Sequence, residues 1–225
     1  MNCLLCQQPF SQNLTLADLL YWRPLLVERI CAHCQRRLQV ITTACPECGR
    51  TQTSPQLCRD CQRWLKKQPQ QLHNQALFVY NAVLQDFFKR YKSLGDYRLH
   101  AAFTADCQRW FKHHPADIYI PIPTDAASYA RRGFNPVVGL YADCVSLTPC
   151  LKKQPQPVKQ AHKSRQARLR TPQLFTFVGT KTTLHNKKVL LLDDIYTTGR
   201  TMRHAQACLK TAVPDCQLQT FTLAR

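Results

Sequence analysis

Residues 189–202 read VLLLDDIYTTGRTM, and the fold class turns on them. Four apolar residues run directly into Asp193 and Asp194, and a Thr-Thr-Gly-x-Thr turn follows at once. A short continuous apolar run closed by a turn is the pattern of a strand buried on both faces. The residues after it, MRHAQACLKTA at 202–212, read as a helix. A strand that passes through a tight turn into a helix is the unit of an α/β domain with a largely parallel sheet.

The segments on either side alternate in the same way. ALFVY (76–80) reads as a strand, and VLQDFFKRYKSL (83–94) places Leu84, Phe87, Phe88, Tyr91 and Leu94 on one helical face. A second helix is expected over 97–111. DIYIPI (117–122) reads as a buried strand, followed by a turn and a helical stretch through AASYARRGF. Asn135-Pro136 has the form of an N-cap with proline in the first turn, opening a helix toward Leu147. The polar stretch 152–173 has no continuous apolar face and reads as a mobile loop. LFTFV (174–178), KVLLL (188–192) and QLQTFTL (217–223) complete the strands.

In such a sheet, ligands sit beyond the carboxyl ends of the strands, where loops enter helices. Residues 193–201 occupy that position. Thr197, Thr198, Gly199, Arg200 and Thr201 combine hydroxyls, a residue without a side chain and a run of backbone N–H groups at a helix start, which together suit one phosphate. Asp193 and Asp194 would repel that phosphate, but they are suited to accept hydrogen bonds from the hydroxyls of an attached sugar. The stretch is not a P-loop, because G-x-x-x-x-G-K-[ST] is absent. The plainer alternative is a capped helix beside an incidental Asp pair.

The 225-residue chain carries 31 Lys and Arg against 13 Asp and Glu, a formal charge of +18. A surface this cationic attracts polyanions, with nucleic acid ahead of anionic lipid. Ten of the basic residues and no acidic one lie between Cys144 and Leu192, a density that binds a phosphate backbone through counterion release. The basic residues Lys89, Arg90, Lys92, Arg131, Arg132, Lys163, Arg165, Arg168 and Arg170 are the candidate nucleic-acid contacts. Aromatic residues stand among basic ones at Trp64, Phe88, Tyr91 and Phe134, which suits single strands with exposed bases, although Phe88 and Tyr91 fit the core face of their helix better.

Thirteen cysteines are present, and eight of them form four C-x-x-C pairs: Cys3/Cys6, Cys31/Cys34, Cys45/Cys48 and Cys58/Cys61. No apolar run approaches the roughly 18 residues that span a bilayer, and the first residues form a Cys pair where a secretory leader would be basic and then apolar. A cytoplasmic location with reduced thiols is therefore expected, and the pairs read as ligands of two structural Zn²⁺ ions. Sequential pairing, with Cys3, Cys6, Cys31 and Cys34 on one ion, is the expected arrangement; interleaved pairing fits the spacing equally well. The polar stretch at 64–75 reads as a linker, dividing a zinc module (1–68) from an α/β domain (74–225).

Taken together, CLLC, CPECG, FKRYKSLGD (88–96), IPIP with RRGFN (120–135), KSRQARLR (163–170) and LLLDDIYTTGRT resemble the ComF family of competence proteins, of the ComFC-like kind. The resemblance covers essentially the whole chain. It implies a type I phosphoribosyltransferase-like parallel sheet flanked by helices behind a small double zinc-ribbon domain. It also implies that Asp193 and Asp194 take the ribose hydroxyls of phosphoribosyl diphosphate (PRPP), that Thr197 to Thr201 take its 5′-phosphate, and that Mg²⁺ accompanies it. Thr124 and Asp125, with Arg131 and Arg132, would stand at the diphosphate loop. Implied partners are single-stranded DNA during natural transformation and the ATP-driven DNA translocase of the competence system, with recruitment to the membrane-bound uptake machinery. No sequence feature selects an acceptor base and no catalytic residue is assigned, so an active phosphoribosyltransferase and a pure adaptor remain the alternatives.

Overall fold

In the computed structural model, all residues are described except 13–15, 17–19, 21–26, 68 and 156–172. Among the described residues four parallel strands form the central sheet: β1 (Asn74–Phe78), β2 (Ile118–Pro121), β5 (Lys188–Ile195) and β6 (Gln217–Ala224), in the order β1-β6-β5-β2. The apolar run at 189–192 lies in a central strand, where Val189, Leu191 and Leu192 have no exposed surface and Leu190 has 3%. Burial of this kind contributes about 1.5–3 kcal/mol per side chain. LFTFV does not join this sheet. Phe175–Phe177 (β4) pairs antiparallel with Leu151–Lys153 (β3) in a separate two-stranded ribbon, a strand too short to carry a sequence signal of its own.

The helices among the described residues are α1 (Ala32–Arg36), α2 (Arg59–Lys67), α3 (Ala82–Phe88), α4 (Thr104–His113), α5 (Ala126–Arg132), α6 (Pro136–Tyr141), α7 (Lys181–Leu184) and α8 (Arg200–Ala212). Asn81 caps α3 by accepting from the N–H groups of Val83 and Leu84 at 3.1 and 3.3 Å. The helix then widens into a π turn at Lys89–Ser93. The single helix expected over 97–111 is a 3₁₀ stretch, Tyr97–Phe103, followed by α4. Asn135 caps α6 at 2.9 Å with Pro136 in its first turn, but the helix stops at Tyr141 and Leu147 instead bridges to Tyr119 of β2. Trp110 of α4 stacks on Phe221 of β6 at 3.9 Å, and Phe111 and Tyr141 lie edge-on to the same ring.

The cysteine-rich segment is hydrogen-bonded to this sheet. Strand β1 is a sheet edge, and residues 39–41 cover it: the N–H of Ile41 donates to Leu77 O at 2.9 Å and that of Val79 to Gln39 O at 2.8 Å. Covering an edge strand removes a template for unwanted pairing. Asn74, buried in β1, donates to the Cys48 carbonyl at 3.2 Å and accepts from the Thr220 hydroxyl at 2.9 Å.

Candidate phosphate-binding site and metal centres

β5 delivers Asp193 and Asp194 to the carboxyl end of the sheet. Asp194 is 8% exposed, and its carboxylate lies 2.7 Å from Lys92 Nζ. The Lys92 ammonium also sits 4.9 Å over the Phe88 ring, and its backbone carbonyl accepts from Arg132 Nε at 2.9 Å. The Asp193 carboxylate accepts from the Asp194 N–H at 2.9 Å, while its carbonyl accepts from the Tyr141 hydroxyl at 2.9 Å.

The turn that follows is held from behind. Arg225 donates to the carbonyls of Tyr196 and Thr197 at 3.2 and 2.9 Å, and the guanidinium lies 4.8 Å over the Tyr196 ring. With the carbonyls drawn to one side, the N–H groups of Thr197, Thr198 and Gly199 donate to no acceptor among the described residues. Gly199 caps α8 with φ 77°, a left-handed conformation suited to glycine. A Cβ there would also run into the Tyr196 hydroxyl. Free N–H groups, exposed Thr197 and Thr198 and the start of a 13-residue helix make an arrangement able to hold one anion.

Burial and the adjacent Asp194 charge push the Asp193 carboxyl up to about 7, with Lys92 and Lys153 pulling the other way. Between about pH 4 and pH 7 the folded carboxyl therefore keeps a proton that the unfolded one loses, and stability falls as pH rises through that window. Asp193→Asn should gain about 1–2 kcal/mol relative to wild type at pH 8, after allowance for partial exposure, and nothing at pH 3.5. The Tm difference at pH 8 is then about 2–8 °C; the same difference at both pH values would contradict it.

The eight paired cysteines form two clusters, Cys3/Cys6/Cys31/Cys34 and Cys45/Cys48/Cys58/Cys61, the sulfurs in each lying within 4.8 Å of one another. The pairing is the sequential one. Cys6 and Cys31 sulfurs stand 3.7 Å apart, as do those of Cys48 and Cys58, close to the edge of about 3.8 Å for a tetrahedron with metal–sulfur bonds of about 2.3 Å. The N–H of Cys31 donates to Cys3 Sγ at 3.3 Å and that of Cys58 to Cys45 Sγ at 3.4 Å. A hydrogen bond from the Cys61 thiol lowers Cys48 to about 4 despite burial, with help from Arg225. Each cluster can hold a metal ion, and this donor set fits zinc.

No protein-family model matches the chain. It is 36% identical to the competence protein ComFC of Streptococcus pneumoniae (strain ATCC BAA-255 / R6), over 100% of both chains, and 32% identical to ComFC of Bacillus subtilis (strain 168), over 99% of this chain and 94% of that one. The chain belongs to the ComFC family of competence proteins. Among solved structures, that of the allosteric regulatory enzyme of purine biosynthesis aligns with 55% of this chain and 26% of its own, at 16% identity and a TM-score of 0.36.

For this ComFC family member, the structure separates the basic residues singled out in the sequence. Lys89 and Arg131 are exposed. Arg90 is committed to the first cysteine cluster, donating to the carbonyls of Leu5 and Leu4 at 2.7 and 3.2 Å. Lys92 holds Asp194, and Arg132 holds the Lys92 backbone. Lys163, Arg165, Arg168 and Arg170 lie outside the described residues. Phe88 and Tyr91 are core, at 3% and 0% exposure. Asp125 caps α5, accepting from the Ser128 N–H at 2.8 Å, with Lys153 3.4 Å away; the cap and that lysine's charge hold its carboxyl at about 2 despite some burial. Thr124 immediately precedes it and is half-buried.

Sequence reasoning passed over three residues. Glu47, inside the CPEC knuckle, accepts from Arg203 of α8 at 2.8 Å and from the Leu72 N–H at 2.8 Å. Arg225 reaches Cys48 Sγ at 3.6 Å as well as the 196–197 carbonyls. A trace of these existed in the sequence: Arg203 interrupts the apolar face of α8 formed by Met202, Ala205 and Leu209.

Proposed function

We propose that the protein binds single-stranded DNA during natural transformation and holds a phosphoribose unit on residues 193–201. The observation that carries this reading is the close association at the end of β5 of two carboxylates, one engaged by Lys92, with a turn whose N–H groups at Thr197, Thr198 and Gly199 donate to no acceptor among the described residues. Asp193 and Asp194 would accept from the sugar's vicinal hydroxyls, and Thr197, Thr198, Gly199, Arg200 and Thr201 would surround its 5′-phosphate. In PRPP the diphosphate would approach the turn at Thr124 and Asp125, with Arg131 on the open side. The carboxylates and the diphosphate are hard oxygen donors of the kind Mg²⁺ prefers.

Two Zn²⁺ ions, one per cluster, would shape the 1–68 segment as a double ribbon behind the 74–225 domain. Family membership supports a place in the competence system. A cytoplasmic protein recruited to the membrane-bound uptake machinery, with the ATP-driven translocase as partner, is the setting in which single-stranded DNA would reach it. Among the described residues no helix is long and apolar enough to cross a membrane.

The test titrates wild type and Asp193→Asn/Asp194→Asn with labelled PRPP plus Mg²⁺ and with a single-stranded oligonucleotide across a salt series. Wild type should bind the oligonucleotide with affinity falling steeply with salt, and the double variant should lose PRPP binding by at least about 100-fold, since two charged hydrogen-bond acceptors are removed. Negligible oligonucleotide binding at low salt overturns the DNA reading, and failure of wild type to bind PRPP overturns the pocket. Diphosphate release by wild type on addition of a base would make it a transferase.

A further inference from the structure

Beside the 197–198 turn a cleft of about 480 Å³, lined by neither Asp193 nor Asp194, opens toward the second cysteine cluster. Trp64 and Arg63 of α2, Arg50, Thr197 and Thr198 line it. A volume of this order accommodates a small organic ligand. Trp64 is half-buried and held in place, because the Arg203 guanidinium lies 5.1 Å from its ring centre and is itself buried against Glu47. Its indole N–H and the Arg63 guanidinium have no hydrogen-bond or ion-pair partner among the described residues. The other cations are engaged: Arg50 pairs with Asp60 at 2.7 Å and Arg225 faces Cys48.

A terminal 5′-phosphate bound on residues 197–201 needs no room beyond itself. A phosphodiester does, because a further nucleotide is attached on its 5′ side, and Thr197 and Thr198, which would flank that phosphate, also line the cleft. We propose that the cleft holds the nucleotide on the 5′ side of a strand's 3′-terminal one, which presents its free 3′ hydroxyl, the only one a terminal deoxyribose offers, to Asp193–Asp194; the base of the cleft nucleotide stacks on Trp64 and its phosphate lies against Arg63. A single strand would then pass from the β5 carboxylates over the 197–198 turn to α2. This rests on the reading of residues 193–201 as a phosphoribose pocket and of single-stranded DNA as ligand. The thiolates and Asp60 offset most of the local cationic charge, so stacking contributes more than charge here and the lone Arg63 contributes one ionic contact.

The experiment measures binding of the full-length, metal-loaded protein to a fluorescent 12-nucleotide oligothymidylate and, separately, to PRPP with Mg²⁺. Trp64→Ala should weaken oligonucleotide binding about 5- to 150-fold, the range for loss of one base stack, and leave its salt dependence unchanged. Trp64→Phe should retain most of the affinity. Arg63→Ala should reduce the slope of log affinity against log salt by about 0.7. PRPP affinity should stay within about two-fold of wild type in all three. Wild-type oligonucleotide affinity and salt slope in both Trp64→Ala and Arg63→Ala overturn the cleft and leave the pocket reading standing. Equal loss of PRPP and oligonucleotide binding in Trp64→Ala also overturns it, by making Trp64 a structural support. If Trp64→Ala loses its metal or its fold, Arg63→Ala decides alone, since that side chain is exposed. Failure of wild type to bind the oligonucleotide at all removes the underlying reading, and the cleft with it.

Discussion

Glu47→Ala should lower the stability of the protein by about 3–5 kcal/mol, the range for removing one partner of a buried ion pair. The Glu47 and Arg203 side chains are 1% and 3% exposed and meet at 2.8 Å. Truncating the glutamate leaves the Arg203 guanidinium without a counter-charge in the space between the CPEC knuckle and α8, and it strands the Leu72 N–H that the same carboxylate accepts. Arg203 would keep only the Gln70 carbonyl at 3.2 Å and the Trp64 ring. The effect corresponds to a Tm lower by about 6–20 °C, measured by calorimetry. Glu47→Ala combined with Arg203→Met should recover part of the loss, because the second change removes the uncompensated charge. A single variant within about 1 kcal/mol of wild type would show that the pair does not carry that weight.

On the proposed reading of one zinc ion per cluster, Cys61→Ser should lower the metal content from two ions per chain to one and unfold the second cluster together with α2. Structural zinc in small peptides contributes apparent binding free energies of about 10–16 kcal/mol, far more than a segment of this size can obtain from its own apolar burial. The cluster is the point where Cys45, Cys48, Cys58 and Cys61 converge from either side of a loop, and α2 begins immediately after Cys58. Metal analysis with a chelator titration followed by circular dichroism reads both parts. Two ions retained in the variant would mean that three thiolates suffice or that Cys61 is not a ligand.

The first cluster gives an internal control. Its connections to the α/β part include Arg90 and the Arg109–Glu28 pair at 2.9 Å, neither of which involves α8, so Cys34→Ser should leave the Glu47–Arg203 contact intact.

What could be read from the sequence was whatever the chain repeats locally. VLLLDD announced a buried strand because continuous apolarity has no other use in a segment that short. The C-x-x-C pairs announced two four-cysteine clusters able to hold a metal ion, because such spacing is the one an ion requires, and the Asn135-Pro136 cap announced α6. The long-range pairings were not legible. Arg90 lies 85 residues from the carbonyl it grips and Arg203 lies 156 residues from Glu47; no local pattern fixes such distances. Basic residues that read as a surface for phosphate divide into two sets once the chain folds. Lys89 and Arg131 face solvent, whereas Arg90, Lys92 and Arg132 are tied to carbonyls and to Asp194. Asp125, which the resemblance puts at the diphosphate turn, also caps α5, a contact that the sequence did not announce.

The π turn at Lys89–Ser93 gives this division a developmental sense, since such a turn is an α-helix that has accepted one additional residue. Within three consecutive positions it sends Arg90 to the first cysteine knuckle, Tyr91 into the core and Lys92 to Asp194. Deleting one residue there would restore regular winding and rotate everything beyond it by roughly 100°. The stretch is therefore a spacer whose length is its information: substitutions at its exposed Lys89 and Ser93 would be absorbed, while a change of a single residue in count would disconnect the carboxylates from the ribbon.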